Sequence, residues 1–344
     1  MTAENRILVV VDPTASNKQV CVDRAAWLAS HLDLDLELLI CHYEQILPGA
    51  RSDNTAFVKR SREFAIRQQR KKLEEIAGPL REQGLGVIVS AVWDRQLGDG
   101  IVRHVLRTNP KMVVKDTHYH SIISRAIFTN TDWHLIRTCP VPLWLAKPHA
   151  WPPSARIVAS VDPTHEHDKD ANLDAIILNE ANMLADNLSG ELHAFHSYLP
   201  ISAYNYTSTN GPVLPIENLD ETIEQNHQKR LDNLLDSYPI SIDQTHMMAG
   251  DPAKLLPKLA TDLDASLVVM GAIARNPLQR VFVGSTTEKV LDKLPCDLLI
   301  VKPDWYSTSL MASTPEYYEG TRDELPVPHD PIAEELEHRA NQAV

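Results

Sequence analysis

Apolar residues form an unbroken run at Ile7–Val11, then return in short blocks separated by stretches where they recur every three or four positions. A run that is apolar at every position has no polar face, as expected of a parallel strand covered on both sides. The three-to-four spacing marks amphipathic helices. On this basis strands are expected at Ile7–Val11, Leu36–Cys41, Val87–Val92, Met112–Val114 and Val141–Leu145. Helices are expected between them at Asn17–Leu32, Thr55–Gln83, Ile101–Arg107 and Thr131–Arg137. The long helix Thr55–Gln83 is polar-faced and carries many basic residues.

The same alternation follows in the second half. Its expected strands are Ile157–Val161, Leu192–Phe195, Ile242–Met247, Leu267–Met270 and Leu298–Val301. Its expected helices lie near Asn172–Leu188, Ile216–Ser237, Pro252–Thr261 and Thr286–Lys293. The halves also share stretches of sequence. RILVVVDPT at Arg6–Thr14 returns as RIVASVDPT at Arg156–Thr164, and VPLWLAKP at Val141–Pro148 returns as CDLLIVKP at Cys296–Pro303. GDGIVRHVL from Gly98 resembles GDPAKLLPKL from Gly250. The repeating unit, about 150 residues long, is a domain rather than a short solenoid repeat.

Strands that alternate with helical crossovers build a doubly wound sheet. The expected fold is therefore α/β: two tandem doubly wound domains, each with a five-stranded parallel sheet, related by pseudo-two-fold symmetry. The expected boundaries are 1–148 for the first domain, 149–155 for a proline-stiffened linker, 156–303 for the second domain and 304–344 for a tail.

Composition narrows the function. A length of 344 residues, 43% of them hydrophobic, suits two ordinary domains with real cores. A formal net charge of −13 argues against nucleic acid or an anionic membrane as partner. The tail, with nine acids against two bases and several prolines, is expected to be mostly disordered and solubilising. The four cysteines, Cys21, Cys41, Cys139 and Cys296, make no paired motif and fit a reducing cytoplasm. The N-terminus enters a strand-like run almost at once, so no secretory leader is expected, and no apolar run approaches the ~18 residues of a membrane span.

Ligands of doubly wound sheets bind at the carboxyl ends of the strands, where the strand order reverses. In the second half this directs attention to Asp162 and Pro163 after the first strand, and to Met270 and Gly271 at the end of the fourth. Gly271-x-x-Ala274-Arg275 follows, and then Gly284-Ser285-Thr286 opens a helix. Glycine lets backbone approach a phosphate. Free N–H groups and the dipole at a helix start favour an anion, and Arg275 adds a counter-charge.

These residues resemble the nucleotide loop of the universal stress protein family, a G-x-x-G followed by nine residues and G-S/T. Nine residues separate Ala274 from Gly284 here, and the resemblance covers roughly Arg6–Pro303. The TDWHLIRTCPVPLW stretch at Thr131–Trp144 and the acidic tail resemble the tandem branch of that family. The resemblance implies ATP or a related nucleotide as ligand, an acidic residue near ribose and base at Asp162, and no required metal. It also implies dimer-like pairing of the last strands, Val141–Leu145 and Leu298–Val301, within one chain. A homodimer of that unit is then a further possibility.

The departures are specific. Ala274 replaces the second glycine. In the first half, at an offset of 155, Gly271 becomes Asp116, Ala274 becomes Tyr119, Gly284 becomes Thr129 and Ser285 becomes Asn130. An aspartate and a tyrosine where phosphate should sit mark a pseudo-site. The plainer alternatives are an ordinary helix cap for Gly284-Ser285-Thr286 and an Asx-type turn for Asp162.

His118 and His120, with Asp116, Tyr119, His134 and Cys139 near in sequence, are the weak metal candidates, against a plain polar surface loop. His193 and His196 have a spacing unsuited to one strand face, so no shared site is expected. No nucleophile elbow or Walker-type loop is present, and no carboxylate pair stands out, so no dedicated catalysis is expected. The reading is a cytoplasmic stress protein that binds a small phosphorylated ligand in its second half. The alternative is a non-nucleotide ligand-binding or scaffold module on a retired nucleotide site.

Overall fold

A computed structural model describes residues 5–15, 19–44, 56–120, 125–127, 129–164, 172–200, 216–272, 290–291, 293–314 and 317–319. The first half runs β1 (Arg6–Val10), α1 (Val20–Leu32), β2 (Asp35–His42), α2 (Ala56–Glu82), β3 (Val87–Trp93), α3 (Leu97–Thr108) and β4 (Met112–Asp116). A small hairpin, β5 (His118–His120) and β6 (Arg125–Ile127), precedes α4 (Asn130–Thr138) and β7 (Leu143–Ala146). The second half runs β8 (Arg156–Ser160), α5 (Leu173–Asn187), β9 (Glu191–Tyr198), α6 (Ile216–Leu235), β10 (Thr245–Ala249), α7 (Pro252–Asp262), β11 (Leu267–Gly271) and β12 (Asp297–Val301). A last short strand is β13 (Tyr318–Glu319).

Eleven strands form one sheet in the order β10-β9-β8-β11-β12-β7-β4-β1-β2-β3-β13. Within each half every neighbouring pair is parallel, with the first strand between the second and the fourth. The halves join through β12 and β7, which pair antiparallel with Leu299 opposite Trp144. This reversal sends the carboxyl ends of the two parallel sets to opposite rims of the sheet. The switch point of one half therefore cannot share a ligand with that of the other.

Ile7, Leu8 and Val9 are fully buried because helices cover both faces. One face packs on α1, α2, α5 and α6 through residues such as Leu28, Leu73, Ile177 and Leu231. The other packs on α3, α4 and α7 through Ile101, Leu135 and Leu256. Each apolar layer contains residues from both halves, so the core crosses the junction.

Several bounds differ from expectation: α3 begins at Leu97, β7 at Leu143, and β9 runs on to Tyr198. Ser241 and Gln244 form a capping box around a 3-10 turn at Ile242–Gln244, so strand β10 begins only at Thr245. The loop expected after β4 holds the hairpin β5–β6.

The linker is anchored at a buried carboxylate. Asp297 accepts hydrogen bonds from Trp144 Nε1 at 2.8 Å and the Lys147 amide at 2.8 Å. Arg24 Nε lies 2.7 Å from it, and His149 Nε2 2.9 Å. The Arg24 guanidinium also sits 4.8 Å over the Trp151 ring.

Residues 304–314 and 317–319, assigned to an unstructured tail by composition, return to the first half. Tyr306 donates to the Arg137 carbonyl at 2.6 Å, and β13 pairs antiparallel with β3. Tyr317 is buried, its hydroxyl 3.2 Å from His104 Nδ1. Composition missed this because a few aromatic anchors suffice to hold an otherwise polar segment. Residues 320–344 lie outside the described residues.

Candidate functional site

In the second half β8 and β11 lie side by side, with Met270 opposite Ser160. Asp162 is exposed, just beyond the end of β8. Its amide donates to Asp174 Oδ1 at 3.0 Å, in the first turn of α5, and its own Oδ1 accepts the Thr164 hydroxyl at 2.9 Å. Pro163 is half-buried in the turn that follows, and Met270 is buried. Gly271 closes β11 against α5. A Cβ there would lie 2.5 Å from Leu173 Cδ2, so only glycine lets Leu173 occupy that place. Ala274, Arg275, Gly284, Ser285 and Thr286 lie outside the described residues.

The first half fills the same positions with its own carboxylates. Asp116, the counterpart of Gly271, accepts the Cys21 amide at 2.5 Å in the first turn of α1. The capping residue of that helix, Gln19, makes no side-chain cap, so Asp116 supplies one from a different strand. Thr129, the counterpart of Gly284, caps α4 in a capping box with Asp132. Asp132 accepts from the Thr129 amide at 2.7 Å and lies 2.7 Å from Lys115 Nζ. A helix start attracts an anion, and at α1 and α4 that anion belongs to the chain. An arriving phosphate would find both positions taken and a negative charge at each.

The described neighbours of the metal candidates have other partners. Asp116 is occupied as described, and His134 Nε2 pairs with Asp99 Oδ1 at 2.8 Å. The Cys139 thiol is buried against the Val141 carbonyl, and burial pushes its pKa up. His118 and His120 stand at the ends of β5, and their side chains lie outside the described residues. Among the described residues no three His, Cys, Asp or Glu side chains converge as metal ligands.

Two histidine pairs flank β9 instead. His196, fully buried, has Nδ1 3.1 Å from the Val161 carbonyl and Nε2 2.7 Å from His227 Nδ1 on α6. His193 pairs with His246 of β10 at 3.1 Å. The odd spacing of His193 and His196 places them in separate pairs, as the sequence implied. Burial lowers the pKa of all four rings, with the neighbouring imidazole adding to the shift at His227 and His246. His227 and His246 escaped the sequence reading because neither lies in a motif; only the fold brings them to β9.

Among the described residues no helix is long and apolar enough to cross a membrane. The profile of the Universal stress protein family matches residues 4–147 and again 156–302. Universal stress protein E of Salmonella typhi is 29% identical over 313 residues, which is 90% of this chain and 97% of that protein. Universal stress protein E of Escherichia coli strain K12 is 28% identical over the same length. The crystal structure of a putative universal stress protein from Pseudomonas aeruginosa UCBPP-PA14 aligns with a TM-score of 0.67 at 27% identity, covering 88% of this chain and 94% of that one. A universal stress protein from Archaeoglobus fulgidus DSM 4304 shares the fold, with a TM-score of 0.58 at 15% identity, over 87% of this chain and 98% of that one. With both halves matched and the doubly wound order present in each, the chain belongs to the universal stress protein family and carries two copies of its domain.

Proposed function

We propose that this protein binds ATP or a related phosphorylated small molecule at the switch point of its second half, and serves as a cytoplasmic stress-response protein. It acts by being loaded with ligand rather than by turning a substrate over. The observation that carries this reading is the contrast between the switch points. Asp116 and Asp132 place carboxylates at two helix starts in the first half, whereas the second half has Gly271 at the position of Asp116. In sequence, Gly284-Ser285-Thr286 stands where Thr129 begins the capping box of α4, and Thr287 stands at the position of Asp132. The antiparallel junction of β7 and β12 supports reading the chain as a dimer-like unit built from one polypeptide.

The test is mass spectrometry of small molecules released on denaturing gently purified protein, followed by titration with ATP. The expected result is a bound nucleotide that is lost on Gly284→Asp and kept on Thr129→Asp, since aspartate also caps a helix. Ala274, in place of a glycine, favours a second reading in which the site holds a different phosphorylated ligand or none. Release of another phosphorylated molecule would support that altered ligand. An empty protein indifferent to ATP would overturn the nucleotide reading and leave a scaffold.

A further inference from the structure

The hydrogen bonds around His196 run in one direction only. The Val161 carbonyl can only accept, so His196 Nδ1, 3.1 Å away, carries the hydrogen. In a neutral ring Nε2 is then bare, and it accepts from His227 Nδ1 at 2.7 Å. The lone pair left over lies on His227 Nε2. A further proton must go there, because one on His196 Nε2 would set two donors face to face. His196 is fully buried, whereas His227 is half-buried. The ring planes lie within 21° of each other with centroids 5.0 Å apart, an edge-to-edge arrangement that suits the N–H···N bond.

Several charges surround the pair. Asp162, beyond β8, acts on both rings. Arg230 acts on His227 from its own helix. Tyr198 of β9 packs its ring 5.1 Å from His227, and its hydroxyl bonds to Glu224, with Asp220 near. The local balance is acidic, and Asp162 stands at the proposed ligand site, so it opposes the net negative charge of an anionic ligand. A cation at His227 would offset that repulsion.

We propose that His227 is a proton-gated arm of the second-half site: neutral at neutral pH, and protonated on Nε2 when an anionic phosphorylated ligand binds beside Asp162. This rests on the ligand reading above. Because linkage is reciprocal, ligand binding takes up a proton, and acidification tightens binding.

Calorimetry of the full chain with MgATP as probe tests this, at pH 6.5 in two buffers of different ionisation enthalpy. His227→Gln is the comparison, because glutamine still offers an N–H to His196. Proton uptake should be greater for the unaltered protein than for the variant. Affinity should fall roughly fivefold, the low end of ordinary coupling, from pH 6 to pH 8 for the unaltered protein only. The proton released or taken up by MgATP itself is common to both proteins and cancels in the comparison. Equal proton uptake in the two would overturn the gate and leave the nucleotide reading standing. No binding by the unaltered protein at either pH would overturn the nucleotide reading and the gate with it. Ring nitrogen NMR of the unaltered protein gives a check that needs no variant. Titration must appear at His227 Nε2 while Nδ1 stays protonated, and titration of His196 first would overturn the assignment.

Discussion

Asp116, at the carboxyl end of β4, reaches the first turn of α1 and accepts the backbone N–H of Cys21 at 2.5 Å. The N-cap residue Gln19 makes no side-chain cap of its own at that helix start. Asp116→Ala should therefore cost about 1–2 kcal/mol, as loss of a good cap does, measured by urea denaturation. Asp116→Gly should lose stability without gaining MgATP affinity, because Asp132 still holds the start of α4. Appearance of MgATP binding in Asp116→Gly would show that one carboxylate alone closes the first half.

The junction offers a second test. Asp297 is fully buried and gathers Arg24, His149, Trp144 and the Lys147 amide. Asp297→Ala strands the buried Arg24 charge and should cost about 3–5 kcal/mol. The pair Arg24→Met with Asp297→Ala should recover part of that loss, since an apolar pair needs no desolvated charges. If the double variant is no more stable than Asp297→Ala, the ion pair is not what holds the linker.

Acid should weaken the first half through Glu37. Burial raises its carboxyl pKa, but the hydrogen bond and charge of His104, with Ser90 and Arg6, bring it down to about 2. A carboxyl lowered on folding contributes stability that is present above its unfolded value of 4.5 and is lost as pH falls toward 2. The loss is on the order of 3 kcal/mol. Glu37→Gln should flatten the stability profile across that window, read by denaturant midpoints at several pH values. An unchanged slope would assign acid sensitivity elsewhere.

The returning segment should protect an edge. Strand β13 covers β3 by antiparallel pairing, and Tyr317 seats its hydroxyl on His104 while Arg107 lies 3.2 Å from Glu319. Ending the chain at Thr314 would bare the N–H and C=O groups of β3, a template for pairing with another chain. Light scattering should show association of the shortened protein. Tyr317→Phe should stay monodisperse and lose only about 1 kcal/mol.

Much of the fold was legible along the chain. The first-half strand cores and crossover helices, and those of the second half up to β11 apart from the later start of β10, sit where the apolar periodicity put them, because burial on two faces demands unbroken apolar runs such as Ile7–Val10. Asp116 and Thr129 were legible as departures from glycine; that they cap α1 and α4 was not. The pairing of His227 with His196 was not, since a lone histidine on the polar helix α6 resembles any solvated residue.

By itself, the sequence determined two doubly wound units and the position of their switch points, because strand and helix periodicity is set by local geometry and by the demand to bury apolar side chains. Tertiary structure alone decided which carboxylate caps α1, which imidazole faces His196, and that the tail returns to β3. Those partners lie far apart along the chain. They meet only after the sheet has assembled and brought their elements together, and no local pattern records such a meeting.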